Sequence, residues 1–396
     1  MGVGVVGEFR KRVSPNNETW QLLPPYPPTL LPSKNCPNFT PHPAPTLLPR
    51  RSRRPLPYFL LLLALLLAAA GYAVWRVAYR PNVVAFAEGP TYLYIRTGTG
   101  YAAVLDSLQK HELLIEPATF RWVAEHHDYP THVQAGRYRL EPGMGNITLV
   151  KMLLFGLQDT VKFELKPFHY LDQLPRKVCG RLETDSFKLE LLLGDNEGLQ
   201  RRYHLDTCTI RTMFIPGQYR LLWNTSAPVL LDSVAARYRR FWRPERQARA
   251  DSLKMTRTQV SVLASIVQRE TAQPTDKPLI AAVYLNRLRL GQPLQADPTL
   301  LWPLHGLGTR KRVLNVDKKV DSPYNTYRHK GLPPGPITTP LPGSLLAVLK
   351  PAHNKNLFFC ARPDGSGFSD FAETYAAHKL NARRYQHRLD SLGVKR

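Results

Sequence analysis

From Leu56 to Trp75 the chain runs for twenty residues without a charge, densest in Leu60-Leu-Leu-Leu-Ala-Leu-Leu-Leu67. About 20 apolar residues wound as a helix are enough to cross the hydrocarbon core of a bilayer. Arg50, Arg51, Arg53 and Arg54 precede the run, while only Arg76 and Arg80 follow closely. The positive-inside bias puts the N-terminus in the cytoplasm and the remaining chain, roughly 315 residues, outside it. A cleaved signal peptide is the competing reading, since Ala68-Ala-Ala70 resembles a cleavage site. The run is longer than a usual signal core and lies far from the N-terminus, which favours an uncleaved, single-pass anchor over 56–75.

Residues 1–49 hold 11 of the 36 prolines, including Pro24-Pro25-Tyr26-Pro27-Pro28. Proline removes a backbone donor and blocks helix and central strand, so 1–55 is expected to be a disordered cytoplasmic segment. A ligand for a proline-recognising module, a solvated tail, or translation from a start codon chosen too far upstream are its open readings. The formal charge is +24, of which +16 lies after position 80. Such a balance suits an anionic polymer or membrane surface and names no partner. Without a zinc-finger spacing, a nucleotide-binding glycine motif or an aromatic RNA-binding signature, nucleic acid is not among the expected partners. Cys36 lies on the cytoplasmic side in this topology, and Cys179, Cys208 and Cys360 lie outside. Three thiols allow at most one disulfide, and buried free thiols are the simpler expectation.

Beyond the anchor the pattern from Pro90 to Gly156 reads strand, helix, helix, strand, helix. Thr91-Tyr-Leu-Tyr-Ile-Arg96 alternates, Ala103, Leu105 and Leu108 fall at roughly helical spacing, Ala135–Leu140 is a short strand, and Met152-Leu-Leu-Phe-Gly156 closes a helix with glycine. This α/β unit, 85–160, looks like a LysM-type glycan-binding module; a spacer domain is the alternative. Residues 161–396 open with the alternating strand Val161–Leu165. Helical segments are expected around 170–195 and 228–243, then over 256–271 and over 277–290, the last ended by Gly291. A long stretch rich in Pro and Gly follows, and ordered loops of that length tend to shape a functional groove. The expected class is α+β.

In Val262-Leu-Ala-Ser-Ile-Val-Gln-Arg-Glu270, Glu270 shares a helix face with Val260, Leu263 and Val267. A carboxylate on an apolar stripe is desolvated, which raises its pKa toward the range of a general acid. A stripe-edge glutamate or a salt-bridge partner has the same pattern, and position alone does not separate them.

Five motifs then occur in order: Leu263–Thr271, Asn286-Arg-Leu-Arg-Leu-Gly291, Pro293-Leu-Gln-Ala-Asp-Pro-Thr299, Tyr324-Asn-Thr-Tyr327 and Gly331-Leu-Pro-Pro-Gly-Pro336. Together they resemble the signatures of the YceG-like, MltG-type endolytic murein transglycosylases, densely over 256–390, more loosely back to about 90, and not over 1–55. The resemblance implies an inner-membrane protein anchored by one N-terminal helix, with a LysM-like subdomain and a catalytic domain in the periplasm. It also implies cleavage of the glycan strands of peptidoglycan between N-acetylmuramic acid and N-acetylglucosamine, leaving a 1,6-anhydro-N-acetylmuramic acid end. No cofactor or metal is called for, and peptidoglycan synthases are candidate partners. The family's catalytic glutamate falls on Glu270.

A lone acid suits that chemistry. Hydrolases generally need two carboxylates. In the anhydro-forming reaction the nucleophile is the sugar's own C6 hydroxyl, so one group can give a proton and later take one, and the attack is intramolecular. Asp297 and Glu373 then need not be catalytic. Gln295, Asn325 and Arg287 are candidates for hydrogen bonds to sugar hydroxyls or N-acetyl groups, and Tyr324 and Tyr327 for stacking on pyranose faces. Asp297 joins them as a substrate-binding candidate, although Asn325 and Asp297 could equally satisfy backbone groups in their own loops. His378 matches a family position, and a lone histidine is as often structural. Three departures stand out. Gln268 replaces a frequent second acid, Phe163–Phe168 replaces a Pro-Glu-Gly turn, and Gly365-Ser-Gly-Phe-Ser369 lacks a histidine common before Phe-Ser. The competing classes are a non-catalytic glycan-binding scaffold and a membrane-tethered nucleic-acid binder.

Overall fold

A single helix of 24 residues, α1 (Leu56–Tyr79), carries the apolar run and continues four residues past it. It is long and apolar enough to cross a membrane, and the side chains of its most apolar stretch are exposed. The structure, a computed structural model, describes residues 56–84, 91–302, 313 and 315–391. The proline-rich segment 1–55 and much of the loop after Trp302 lie outside the described residues. The chain divides into a unit 1–62, described only over the first turns of α1, and a unit 63–396 that carries the rest.

After α1 come β1 (Thr91–Ile95), α2 (Tyr101–Lys110), α3 (Pro117–His126), β2 (Gly136–Leu140) and α4 (Asn146–Leu154). β1 and β2 pair antiparallel from Thr91↔Leu140 to Ile95↔Gly136. Alternation turns Leu93 and Ile95 inward, where they meet Leu108, Phe120, Tyr138, Leu149 and Leu153 in one core. A polar knot holds the end of α1 to this body. Asn146 Nδ2 donates to Val77 O at 2.8 Å, and Asn82 Nδ2 donates to Asn146 Oδ1 at 2.6 Å.

Next come β3 (Thr160–Leu165), α5 (Gln173–Val178), α6 (Ser186–Gly194), α7 (Asn196–Tyr203), β4 (Gly217–Leu222) and α8 (Ala227–Phe241). β3 and β4 pair antiparallel with Phe163 opposite Tyr219, and those rings stack at 5.7 Å. The helical stretch expected around 170–195 is split into short helices. Asp185 and Asp195 each accept backbone N–H bonds as N-caps, which starts a new helix at each point.

The last third is helical: α9 (Pro244–Ser252), α10 (Arg257–Glu270), α11 (Asp276–Arg289), α12 (Asp297–Leu301) and α13 (Pro342–Leu349). The hairpin β5 (Phe358–Ala361) and β6 (Ser369–Ala372) follows, then α14 (Tyr375–Ser391). α10 opens on a capping box: Thr256 Oγ1 accepts from Gln259 N at 3.1 Å, and Gln259 Oε1 accepts from Thr256 N at 2.8 Å. The sequence suggests a one-sided apolar stripe here, but every residue from Val260 to Val267 is buried. α9, α11, α12 and α13 all pack against α10, so it is a central helix and not a surface one. Each buried Val, Leu or Ile contributes about 1.5–3 kcal/mol, which makes α10 a rigid platform for what sits at its end.

Candidate active site

Glu270 is the last helical residue of α10; at Thr271 the backbone turns extended, with φ −145° and ψ 142°. The side chain is half-buried. Burial drives its pKa up to about 7; the hydrogen bond from Tyr284 opposes this, the charge of Asp297 adds to it, and Arg287 draws it slightly back. The negative end of the α10 dipole also disfavours the anion.

Tyr284 comes from α11 and is 1% exposed. Its hydroxyl donates to Glu270 Oε1 at 2.6 Å, and Phe359 packs edge-on against its ring at 5.9 Å. Burial, with Glu270 alongside, holds the phenol well above its usual pKa, so it stays a donor. A donor on Oε1 leaves the acidic proton of Glu270 on Oε2. Tyr284→Phe is therefore expected to move the pKa of Glu270 up, because the bond it removes favours the charged form, and Asp297→Asn to move it down. The pH–rate profiles of the two variants should shift in opposite directions, each by up to about one unit.

The motif after α11 is built from backbone pairing. Gly291, at φ +62°, ends the helix in the left-handed region that glycine adopts without penalty. Gln295 N donates to Thr326 O at 3.1 Å and Ala296 N to Thr326 Oγ1 at 2.9 Å. Thr299 Oγ1 closes the contact at 2.9 Å from Thr326 Oγ1. This zipper brings Asp297 to Tyr327, whose hydroxyl donates to Asp297 Oδ1 at 2.5 Å. Burial and Asp297 both push the Tyr327 phenol upward. Glu270, Tyr284, Asp297, Tyr327 and Arg287 thus form one electrostatically coupled group.

The other candidates take distinct places. Asn325 is 1% exposed, and its amide works within its own loop. Nδ2 donates to Lys318 O at 3.0 Å and Val320 O at 2.8 Å, while Oδ1 accepts from Tyr327 N at 3.0 Å. It shapes the loop that presents Tyr327. Arg287 laces two chain segments, Nε to Leu357 O at 2.7 Å and Nη1 to Leu294 O at 2.7 Å. Gln295 is exposed and sits at φ +51°, a strained backbone for a non-glycine residue. His378, on α14, stacks on Phe358 at 5.3 Å, with Nδ1 buried and unpartnered. Burial and Arg287 lower its pKa, which favours the neutral ring.

Tyr324 belongs to a second cluster that sequence reasoning missed. Its ring lies 5.6 Å from Trp302, which stacks on Tyr170 at 4.6 Å, and the Arg211 guanidinium sits 4.2 Å from the Trp302 centroid. Arg211 is 4% exposed; it donates to the carbonyls of His169 and Cys208 and also hydrogen-bonds Tyr324. Nothing in linear spacing joins positions 170, 211, 302 and 324. For Tyr284 a signal existed, since a tyrosine on a core-facing helix position needs a partner for its hydroxyl.

Gln268 shows why a neutral amide suits its position. Its Oε1 accepts from Leu341 N at 2.5 Å and Ser344 Oγ at 3.2 Å, while Nε2 donates to Thr339 O at 3.3 Å. A carboxylate has no donor for Thr339. Phe168, at the end of the altered turn, is tied to the same loop: its N–H donates to Thr339 Oγ1 at 3.0 Å and its carbonyl accepts from Thr339 N at 3.0 Å.

The sequence of this mixed α+β body, with one acid at the end of a buried helix beside a zippered loop pair, falls in a known family. The sequence profile of the YceG-like family covers residues 93–384, and the chain belongs to that family. An endolytic murein transglycosylase of Bacillus subtilis (strain 168) is 26% identical over 311 residues, 74% of this chain and 83% of that protein. Its counterpart in Streptococcus pneumoniae strain D39 is 27% identical over 342 residues, 76% of this chain, which spans 60% of the pneumococcal protein. The crystal structure of a yceG-like protein from Listeria monocytogenes aligns at 23% identity with a TM-score of 0.48, over 74% of this chain and 98% of that one.

Proposed function

We propose that this chain is an endolytic murein transglycosylase, a lyase that cuts the glycan strands of peptidoglycan within their length and leaves 1,6-anhydro-N-acetylmuramic acid ends. The observation that carries the reading is the half-buried Glu270, pushed up to about 7 and fixed by Tyr284 at 2.6 Å. Protonated Glu270 gives its proton to the glycosidic oxygen as the bond from C1 breaks. The C6 hydroxyl oxygen then closes on C1, and its proton returns to the Glu270 carboxylate. No water enters, and the acid is regenerated. Asp297 helps keep Glu270 protonated before the cut, and the Tyr327 and Tyr324 rings with Gln295 line the sugar path.

In this reading α1 is a single-pass anchor with the N-terminus in the cytoplasm and the site in the periplasm. The 85–160 unit acts as a LysM-like glycan-binding module, 161–396 is the catalytic region, and peptidoglycan synthases are its working partners. The surplus positive charge helps hold an anionic wall polymer, so binding should weaken with salt.

Digestion of purified glycan strands, followed by mass spectrometry of the new ends, tests the proposal. Anhydro ends are expected. Reducing ends would make the protein a hydrolase, and uncut strands a scaffold. Because the reaction needs the protonated acid, kcat/KM is expected to fall as pH rises through about 7.

A further inference from the structure

Where α1 enters the folded body, two cavities adjoin. One, of about 350 Å³, is lined by Tyr72, Arg76, Arg80, Asn82, Ile115 and Glu116, among others. The second, of about 330 Å³ and almost wholly apolar, lies between α1 and α3 and is lined by Ala73, Val74, Val77, Ala118, Thr119 and Trp122. They share Ala73, Val77 and Thr119, so an almost wholly apolar groove leads into a chamber that carries Arg76 and Arg80 in its wall.

We infer that this paired groove and chamber hold one glycerophospholipid, its phosphate between Arg76 and Arg80 and an acyl chain along the α1–α3 groove. The inference rests on the reading of α1 as a membrane span. The height of the site argues for this occupant. The charge-free run ends at Trp75, and about 20 residues of helix match the hydrocarbon thickness. Tyr72, Trp75 and Tyr79, which stack on one another at 6.0 and 6.2 Å, fall where aromatic side chains gather at the membrane surface. Arg76 and Arg80 therefore stand at headgroup level, and the apolar groove lies on the acyl side of them.

The surroundings agree. Ile115 is 59% exposed and Trp122 41% exposed on the same side of the body, an apolar surface out of place in water. Arg80 has only a loose, solvent-exposed pairing with Glu116 at 3.7 Å, and Arg76 makes no ion pair among the described residues. The junction is also fixed in place, since Asn146 grips the Val77 carbonyl and Val77 packs on the core. A lipid seated there would set the angle at which the body stands over the bilayer.

The test uses the full chain in nanodiscs of phosphatidylglycerol and phosphatidylcholine, released into mild detergent for native mass spectrometry. One retained phospholipid per chain is expected. Arg76→Gln/Arg80→Gln is expected to lower its occupancy at least fivefold, as is Ala118→Trp, which fills the groove. Cutting of soluble glycan strands should be unchanged in Arg76→Gln/Arg80→Gln. Equal occupancy in wild type and variants overturns the site, as does retention of inorganic phosphate in place of lipid when phosphate is supplied. A full-mass chain that stays with the bilayer but keeps no lipid refutes the site and leaves the anchor standing. A chain trimmed of α1, or recovered without bilayer, refutes both.

Discussion

Replacing Glu270 with Gln is expected to leave a folded protein that cuts glycan strands at least roughly a thousandfold more slowly. General acid catalysis alone is worth on the order of 10² to 10⁴, and in the proposed reaction the same carboxyl group serves again as base, so both half-reactions fail together. Gln keeps the shape of the side chain, and its amide oxygen can still accept from the Tyr284 hydroxyl. The effect should therefore fall on kcat, with strand binding retained. Stability should move the other way. The Glu270 carboxyl lies at about 7 in the folded chain against 4.5 as its ordinary value. The stability from the buried neutral form is complete below about 4.5 and is lost as pH rises through 7. A shift of this size corresponds to about 3 kcal/mol by pH 8. A variant that cannot ionise avoids the loss. Glu270→Gln should therefore melt above wild type at pH 8 and close to it near pH 4.5. A variant that melts lower at pH 8, or that still releases anhydro ends at the wild-type rate, would remove Glu270 from the mechanism.

Glu270 was legible because helical spacing alone ties it to Val260, Leu263 and Val267, and because motif order fixed its neighbourhood. What spacing could not report was how many neighbours α10 has. A stripe and a fully enclosed helix differ in the residues between stripe positions, and Val262, Ala264, Ser265 and Ile266 are buried too, with α9, α11, α12 and α13 all packed on α10. Tyr284 escaped for a related reason. Its partner lies fourteen positions away on another helix, and only the packing of α10 on α11 turns the two side chains together. Asn325 and Arg287 were recognised as chemically able to bind sugar, and the structure shows most of that capacity directed at backbone carbonyls. Residue type sets what a side chain can donate, whereas the fold decides what stands in front of it. The Arg211–Trp302–Tyr170 stack is the extreme case, since it joins three separate stretches of chain and has no local pattern at all.

Gly335→Ala is expected to destabilise the protein by about 1–3 kcal/mol and to disturb the site with it. Gly335 does not lie at positive φ, so the argument is one of space. A Cβ built there would lie 2.2 Å from the Cys208 carbonyl oxygen, 2.9 Å from its carbon and 3.0 Å from the Tyr324 hydroxyl. Two of these atoms are backbone and cannot rotate away. Cys208 O is also the acceptor for Arg211 Nη2 at 3.3 Å, so displacing it loosens the guanidinium that lies on Trp302. The Gly331–Pro336 segment would then have to lift from Tyr324, while Ser265 Oγ still holds the next residues through Ile337 N at 3.0 Å. Strain would collect between those two points, beside the Tyr324 ring. Gly343 is the matched control, since it lies in α13 and a Cβ there meets nothing within 4 Å. Gly343→Ala should be neutral or stabilising by up to about 1 kcal/mol, because alanine loses less backbone entropy in a helix. Denaturant unfolding of the two variants side by side gives the comparison. Equal midpoints would mean that the close approach of Gly335 to Cys208 does not hold the loop. A loss confined to Gly335→Ala, with a slower release of anhydro ends, would show that this approach sets both the fold of the loop and the placement of Tyr324.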